Sequence, residues 1–351
     1  MLLPTFYLWL MKKKILLFLS IFVIYSCGDS DSEMIPDVSH IEESHELIRF
    51  EKALFGLDTN KIDQELKALI DQYPAFSKLF FTNVFPIDLN DPKALNKILG
   101  AESMVHLKDT CSHVFKDFDQ INQDFSQAFK YLKYYINSAT APNIYTFISE
   151  FGYQRFLFQD ENGKDAIGIG LDLFLGGDYP YKSIDPTNPN FSEYLTRSFN
   201  KDHIVKKSME LYLEDLMGPA PGNRMLDQMI HNGKKLFILD KILPMAHDSI
   251  ILEYTSEQVK WADQNQLEMW AFFLKEELFY EANGLKISKY INPSPNSPKM
   301  PPGAPGMTAN YLGWKIVEAY VDKNPSMDFI TLIKEKNAQK ILDESRFKPR
   351  K

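Results

Sequence analysis

Residues 143–175 read NIYTFISEFGYQRFLFQDENGKDAIGIGLDLFL, and this stretch decides the fold class. Asn143–Phe151 and Tyr153–Phe158 are short runs rich in Ile, Tyr and Phe, side chains that suit a pleated, half-buried surface. Asp160-Glu161-Asn162-Gly163 is a turn signal, and Ala166–Leu175 follows it. The spacing predicts three strands, the last two joined as a hairpin. Gly168 and Gly170 fall inside the third strand. A phosphate-binding loop would need a third glycine and a following helix. The pair therefore reads as a place where another backbone approaches closely.

On either side the hydrophobic period becomes helical. Ile41, Leu47, Ile48, Leu54 and Phe55 recur near 3.6 residues, and Ile62, Leu66, Leu69 and Ile70 form a second stripe. Tyr73-Pro74 ends that helix. Asp91-Pro92 opens another, with Asp as cap and Pro in the first turn. Phe115–Ile136 predicts one or two long helices. Helical patterns return at Tyr194–Met217, Asn223–Asp240, Ser256–Tyr280 and Ala309–Val321. Asn292–Gly306 holds six prolines in fifteen residues, so it is an irregular loop of the kind that forms a lid or a binding surface. The class is α+β: mostly helical, with a small central antiparallel or mixed sheet.

The chain has 351 residues, 44% hydrophobic and 25% charged, which is enough to bury a substantial core. No repeat of fixed period is visible, which argues against a solenoid or propeller. A formal charge of −8 argues against nucleic-acid binding, which needs basic patches to displace counterions.

The N-terminus predicts export. Lys12-Lys13-Lys14 precedes the apolar run Ile15–Tyr25, too short to span a bilayer but suited to a signal-peptide core. Ser26-Cys27-Gly28 follows, a small residue directly before a cysteine, which resembles a bacterial lipobox. Cleavage before Cys27 would leave its sulfur to carry diacylglycerol, making Cys27 the lipidation site and membrane lipid a partner. Met11 is the better start, because residues 1–10 lack a charged segment. Residues 1–26 hold three lysines and no acid, so the processed chain has 36 basic and 47 acidic residues, net −11. Residues 27–40 read as lipidated cysteine and tether. Asp29, Asp31 and Glu33 loosely resemble a surface-export signal. Residues 41–351 read as one domain, with a helical part over 41–140 and the sheet-bearing part over 141–351. With Cys27 acylated, only Cys111 remains. No intramolecular disulfide is then available, and Cys111 reads as a small buried hydrophobe.

Chemistry is sparse. None of the seven histidines heads H-E-x-x-H: His45-Glu46 is followed by Arg49, His203 by Lys207 and His231 by Lys235 at the fourth position. There is no G-x-S-x-G. Asp172 and Asp178 flank Leu-Phe-Leu-Gly-Gly at the end of the third strand. Glycines there can bring two carboxylates together for a cation or for acid–base work, or simply form a turn and a cap. Trp261, Trp270 and Trp314 read as packing anchors. The expectation is no metal, no cofactor and no catalysis.

Four ordered segments are more specific: residues 167–181 (IGIGLDLFLGGDYPY), 226–240 (LDQMIHNGKKLFILD), 254–258 (YTSEQ) with Trp261 and Trp270, and 311–320 (YLGWKIVEAY). Behind the lipobox, they resemble the gliding-motility lipoprotein GldB family of Bacteroidetes. The resemblance implies an outer-membrane lipoprotein required for gliding, a process coupled to type IX secretion, with the partners drawn from that machinery. A more distant resemblance is to predicted zinc peptidases with a zincin-like fold. They run strand, H-E-x-x-H helix, L-D-x-x-x-x-E-G helix, then a G-Y-x-x-V helix. Here the strand is 166–175, Leu226-Asp227 and Asn232-Gly233 stand in the second motif, and Gly313-Trp314 and Val317 in the last. The first motif falls near residues 199–217, which hold His203 and Glu210 but no second histidine. Asn232 stands where that pattern has the third ligand, a glutamate. This resemblance implies a peptidase-like scaffold without its metal, whose cleft holds an extended peptide against the sheet edge. The expected contact surface is Asp172, Asp178, Tyr179, Asn232 and the Pro-rich loop to Gly306. The alternatives are a hydrolase with a non-standard site around His203, Glu210 and Asp172, and a periplasmic chaperone-like lipoprotein.

Overall fold

The computed structural model describes residues 35–89 and 91–350. The signal segment, Cys27 and most of the tether lie outside them. The compact body runs from Val38 to Lys351.

Before the first regular element, residues 42–46 are stitched to the body by five consecutive contacts. Lys133 Nζ donates to the Glu42 carbonyl, Ser126 Oγ to the Glu43 carboxylate at 2.5 Å, and Lys164 Nζ to the Ser44 carbonyl at 2.6 Å. The His45 ring meets Asn122 Oδ1 at 2.9 Å, and the Glu46 N–H donates to Asn143 Oδ1 at 2.9 Å. The chain then enters β1 (Leu47–Arg49), which pairs in parallel with β2, Leu47 opposite Ile144. Leu47 and Ile48 thus belong to a strand, not to the helical stripe their spacing predicts. The three residues are too short to declare a period, and their partner lies 97 residues away.

Helix α1 (Phe50–Phe55) and α2 (Ile62–Gln72) follow, α2 burying Ile62, Leu66 and Leu69 along one stripe. Pro74 takes the first turn of α3 (Pro74–Leu79), where its missing N–H costs nothing. Helix α4 (Pro92–Leu99) starts as expected, Asp91 accepting from the Ala94 N–H. Helices α5 (Glu102–Val114) and α6 (Asp119–Tyr135) complete the crossover to β2 (Asn143–Phe147). Then β3 (Arg155–Gln159) and β4 (Asp165–Gly170) form the predicted hairpin, Asp160 accepting from the Asn162 and Lys164 N–H groups in the turn. The strand order is β1-β2-β4-β3, parallel except for the antiparallel edge strand β3. The class is α+β, mostly helical with a small mixed sheet.

Strand alternation separates two cores. Tyr145, Phe147, Ala166, Phe156 and Phe158 face α1–α4, where Phe76 stacks on Tyr145 at 4.9 Å and meets Phe50 edge-on at 4.7 Å. Ile144, Ile167 and Ile169 face the other way, into the larger core with α5, α6 and everything after the sheet. Gly168 and Gly170 lie on the aromatic side. A Cβ on Gly170 would sit 2.0 Å from the Tyr153 carbonyl, and one on Gly168 2.7 Å from the Phe156 ring. The close backbone approach read from the sequence holds at Gly170, whereas at Gly168 it is an aromatic ring that takes the space.

Past the sheet come the short helices α7 (Tyr181–Ile184) and α8 (Glu193–Thr196). The predicted helix over 194–217 is broken, because the Asn200 side chain accepts from the Asp202 N–H and starts a new turn. Helix α9 (Ile204–Met217) follows, then α10 (Met225–Ile242) and α11 (Asp248–Leu252). The predicted 256–280 helix divides at Asn265 into α12 (Ser256–Gln264) and α13 (Gln266–Lys275). Helix α14 (Gly284–Ile291) leads to the Pro-rich loop, and α15 (Thr308–Lys323), α16 (Phe329–Lys334) and α17 (Ala338–Ser345) close the body. Helices α10 and α15 cross at Gly233 and Gly313, so closely that a Cβ on Gly233 would meet the Gly313 carbonyl carbon at 2.3 Å.

Candidate functional site

A cleft of about 770 Å³ opens between the start of β3, helices α9 and α10, the corner after α11 and the first residues of the Pro-rich loop. Its wall is built from charges in series. Lys235 of α10 reaches Glu214 at 2.6 Å and Glu210 at 3.2 Å. Lys206 of α9 bridges Glu210 at 2.9 Å and Glu253 at 2.8 Å, and Lys207 holds the other oxygen of Glu253 at 2.7 Å. The Lys206 and Lys207 side chains are only 4% and 7% exposed, so the pairing takes place largely out of water.

Burial opposes the charge on Glu210 and Glu253, but the neighbouring ammoniums outweigh it and hold both carboxyls below the usual range. Burial likewise works against the Lys206 ammonium, and Glu210 with Glu253 outweighs it, raising its pKa. For Lys207 burial prevails over Glu253 and the pKa falls. Glu253 is held in the left-handed region at φ 54°, a conformation that non-glycine residues seldom adopt. The contacts keep it there: two lysines and the Ser198 hydroxyl donate to its carboxylate, and Arg197 donates to its carbonyl from Nε at 3.1 Å and Nη2 at 2.7 Å.

The cleft lining carries five cations, Arg155, Arg197, Lys206, Lys207 and Lys235, against three carboxylates, Glu210, Glu214 and Glu253. The lysines and glutamates balance. The surplus is the two arginines, in a chain whose net charge is −8.

Of the residues singled out by sequence, Asn232 lines this cleft, donating to Asn310 Oδ1 at 2.9 Å and so tying α10 to α15. Asp172 is not at a surface. It is fully buried, accepting from the Ser149 and Phe151 N–H groups, and it fixes a turn in which Glu150 and Phe151 have positive φ. Burial pushes its pKa up to about 6. Asp178 is exposed and takes no part in that cluster, so of the two readings open for these acids the carboxylate pair does not form. Tyr179 is half-buried, its ring 4.9 Å from that of Tyr181 and 5.9 Å from that of Phe151. Gly306 is buried, its carbonyl accepting from the Tyr254 hydroxyl, and a Cβ there would sit 2.2 Å from the Ser294 carbonyl. The Pro-rich loop is irregular, as predicted, and only its first residues, Asn292, Pro293 and Ser294, reach the cleft. Trp261 Nε1 donates to the Pro302 carbonyl, and Tyr290 to that of Pro298.

His203, Glu210 and Asp172 are not brought together. The His203 ring contacts Asn200 Oδ1 at 2.9 Å, with burial lowering its pKa to about 4, and Glu210 is engaged by lysines. Cys111 is buried, and desolvation raises its pKa further from the thiolate range. Among the described residues, no three His, Cys, Asp or Glu side chains gather in a way that could hold a metal ion. On α9 the spacing i, i+1, i+4 is occupied by Lys206, Lys207 and Glu210. Two ammoniums repel a cation, where a zinc site takes imidazole, thiolate or carboxylate donors. Lys206, Arg155 and Glu253 are not singled out by sequence, and Lys207 and Lys235 figure there only as residues that break a zinc motif. Two adjacent lysines within the apolar frame of Val205 and Met209 were the signal available.

Fold and cleft together define a mostly helical α+β protein whose central cleft is walled by an ion-paired lysine–glutamate chain and carries a surplus of arginine. Residues 31–349 match the family described as gliding motility protein GldB, and the chain belongs to that family. Membership gives it a role in gliding motility. No curated protein and no solved structure matches the chain. No helix among the described residues is long and apolar enough to cross a membrane.

Proposed function

We propose that this chain is a lipid-anchored outer-membrane component of the gliding apparatus, acting by protein–protein contact and without catalysis. Cys27 is the anchor and the cleft is the contact surface. The observation that carries the reading is the state of the cleft's charged groups. Glu210 and Glu253, the acids on its α9 and α11 sides, are each held by two lysines, and such carboxylates are poor bases. On this view the peptidase-like scaffold that the distant resemblance implies has its cleft turned to binding. In this reading β3 offers the partner an open edge. Gln154 bonds to β4 through its carbonyl, so strand alternation turns the backbone groups of Arg155 and Leu157 away from β4.

The test is a clean deletion complemented with wild type or Cys27→Ala and scored for colony spreading and adhesin secretion. Loss of spreading, restored by wild type but not by an accumulating Cys27→Ala chain, is the expected result. Unchanged spreading and secretion after deletion would overturn the motility reading. Restoration by Cys27→Ala would remove the anchor.

A further inference from the structure

We infer that the cleft is a receptor for a peptide carboxylate, with Arg155 as the anchoring cation. The inference rests on the reading of this chain as a contact protein and names what the contact recognises.

Charge comes first. The three lysines are matched by three glutamates, so neither group has charge to spare for a ligand. Arg197 has both Nε and Nη2 on the Glu253 carbonyl. Arg155 is different. Its Nη1 donates to Gln154 Oε1 at 2.8 Å, but Nη2 lies 3.8 Å from Glu210, too long for a hydrogen bond. Its Nε is buried and has no acceptor among the described residues. A guanidinium has five N–H donors, and this one, at the cleft wall and 21% exposed, gives one to Gln154 and makes only a long ion pair with Glu210, which leaves Nη donors for a ligand. Its planar fork fits the two oxygens of a carboxylate.

The surroundings select the kind of acid. Glu210, Glu214 and Glu253 stand in the same wall and oppose a doubly charged phosphate more than a singly charged carboxylate. Side-chain amides, among them Gln154, Gln228 and Asn292, line the cleft beside apolar residues such as Leu236 and Ile251. Amides match peptide groups, and the apolar surface accepts side chains. The cleft volume lies within the range of small-ligand sites, so it takes a short segment rather than a folded domain.

The carboxylate is either a chain terminus or an Asp or Glu side chain. The test uses the full mature chain, purified in detergent and immobilised. It is offered equimolar hexapeptide mixtures in four forms: with free or amidated C-termini, and with or without Asp and Glu. Retained peptides are quantified by mass spectrometry. At least tenfold enrichment of one or both acidic classes over the neutral amidated mixture is expected, and the enriched class identifies the source. In Arg155→Met and Arg155→Gln the enrichment should fall towards one. Both variants should melt within a few degrees of wild type, because the ion pair of Arg155 with Glu210 is long, at 3.8 Å, and Glu210 keeps Lys206 and Lys235. Equal retention of acidic and neutral mixtures, or undiminished enrichment in the two variants, would overturn the receptor. Carboxylate selection by a chain whose deletion leaves spreading intact would keep the receptor and remove the motility reading.

Discussion

Glu253→Gln probes the lysine–glutamate chain with almost no change of shape. Gln keeps the length, the volume and the φ of 54°, so backbone strain is the same in both proteins. What changes is the charge facing two buried ammoniums. Lys206 retains Glu210 at 2.9 Å, whereas Lys207 has Glu253 as its one ion-pair partner among the described residues. The variant therefore leaves Lys207, 7% exposed, as a buried charge without compensation. Removing one partner of such a pair costs about 3–5 kcal/mol. For a domain of this size, at about 2 °C per kcal/mol, the melting temperature should fall by about 6–10 °C. Circular dichroism melts at pH 7.5 measure it. The double variant Lys207→Met/Glu253→Gln, which removes the stranded charge, should recover more than half of the loss. Because the groups are largely desolvated, the wild-type midpoint should change little with added salt. A single variant within 2 °C of wild type, or a double variant less stable than the single, would refute the claim that these charges depend on each other.

Asp172 sets a pH dependence of the opposite sign to that of Glu210 and Glu253. Its folded pKa, about 6, exceeds the unfolded value, so the stabilisation it gives is complete below about pH 4 and lost as pH rises through 6, on the order of 3 kcal/mol. The two glutamates, with lowered pKa, contribute above their unfolded values and lose that contribution as pH falls. Denaturant titrations from pH 4.5 to 7 should therefore show wild type losing stability relative to Asp172→Asn as pH rises; parallel profiles would exclude this role. Gly313→Ala places a Cβ 2.0 Å from the Met229 carbonyl and must push α10 and α15 apart. We expect a loss of about 1–3 kcal/mol, read as a lower urea midpoint, and an unchanged midpoint would contradict the close crossing.

The parts of the fold legible in the sequence were those set locally. The hairpin announced itself through aromatic runs around Asp160–Gly163, and α4 through Asp91-Pro92, because each signal and its hydrogen bonds lie within a few residues. The parts that were not legible depend on distant partners. Leu47–Arg49 is a strand because β2 arrives beside it. Asp172 is buried because the N–H groups of Ser149 and Phe151, 23 and 21 residues upstream, satisfy its carboxylate. Lys206 and Lys207 would be a solvated pair on an isolated helix, and Glu253, 47 and 46 residues later, makes their burial possible. Gly306 sits under Tyr254 for the same kind of reason. Asn232 was found because it departs from a pattern, and the structure does place it in the cleft.

The stitched segment ahead of β1 has a mechanical consequence. A pull on the chain upstream of Val38 meets the buried Val38 side chain, and past it the contacts of Glu42, Glu43, Ser44, His45 and Glu46. Their anchors stand on α6, on the β3–β4 turn and on β2. Tension entering there is divided among three parts of the body instead of falling on β1, which has three residue pairs to resist it. A protein held by its N-terminus to a moving surface would thus give at its edge while its cleft kept its shape.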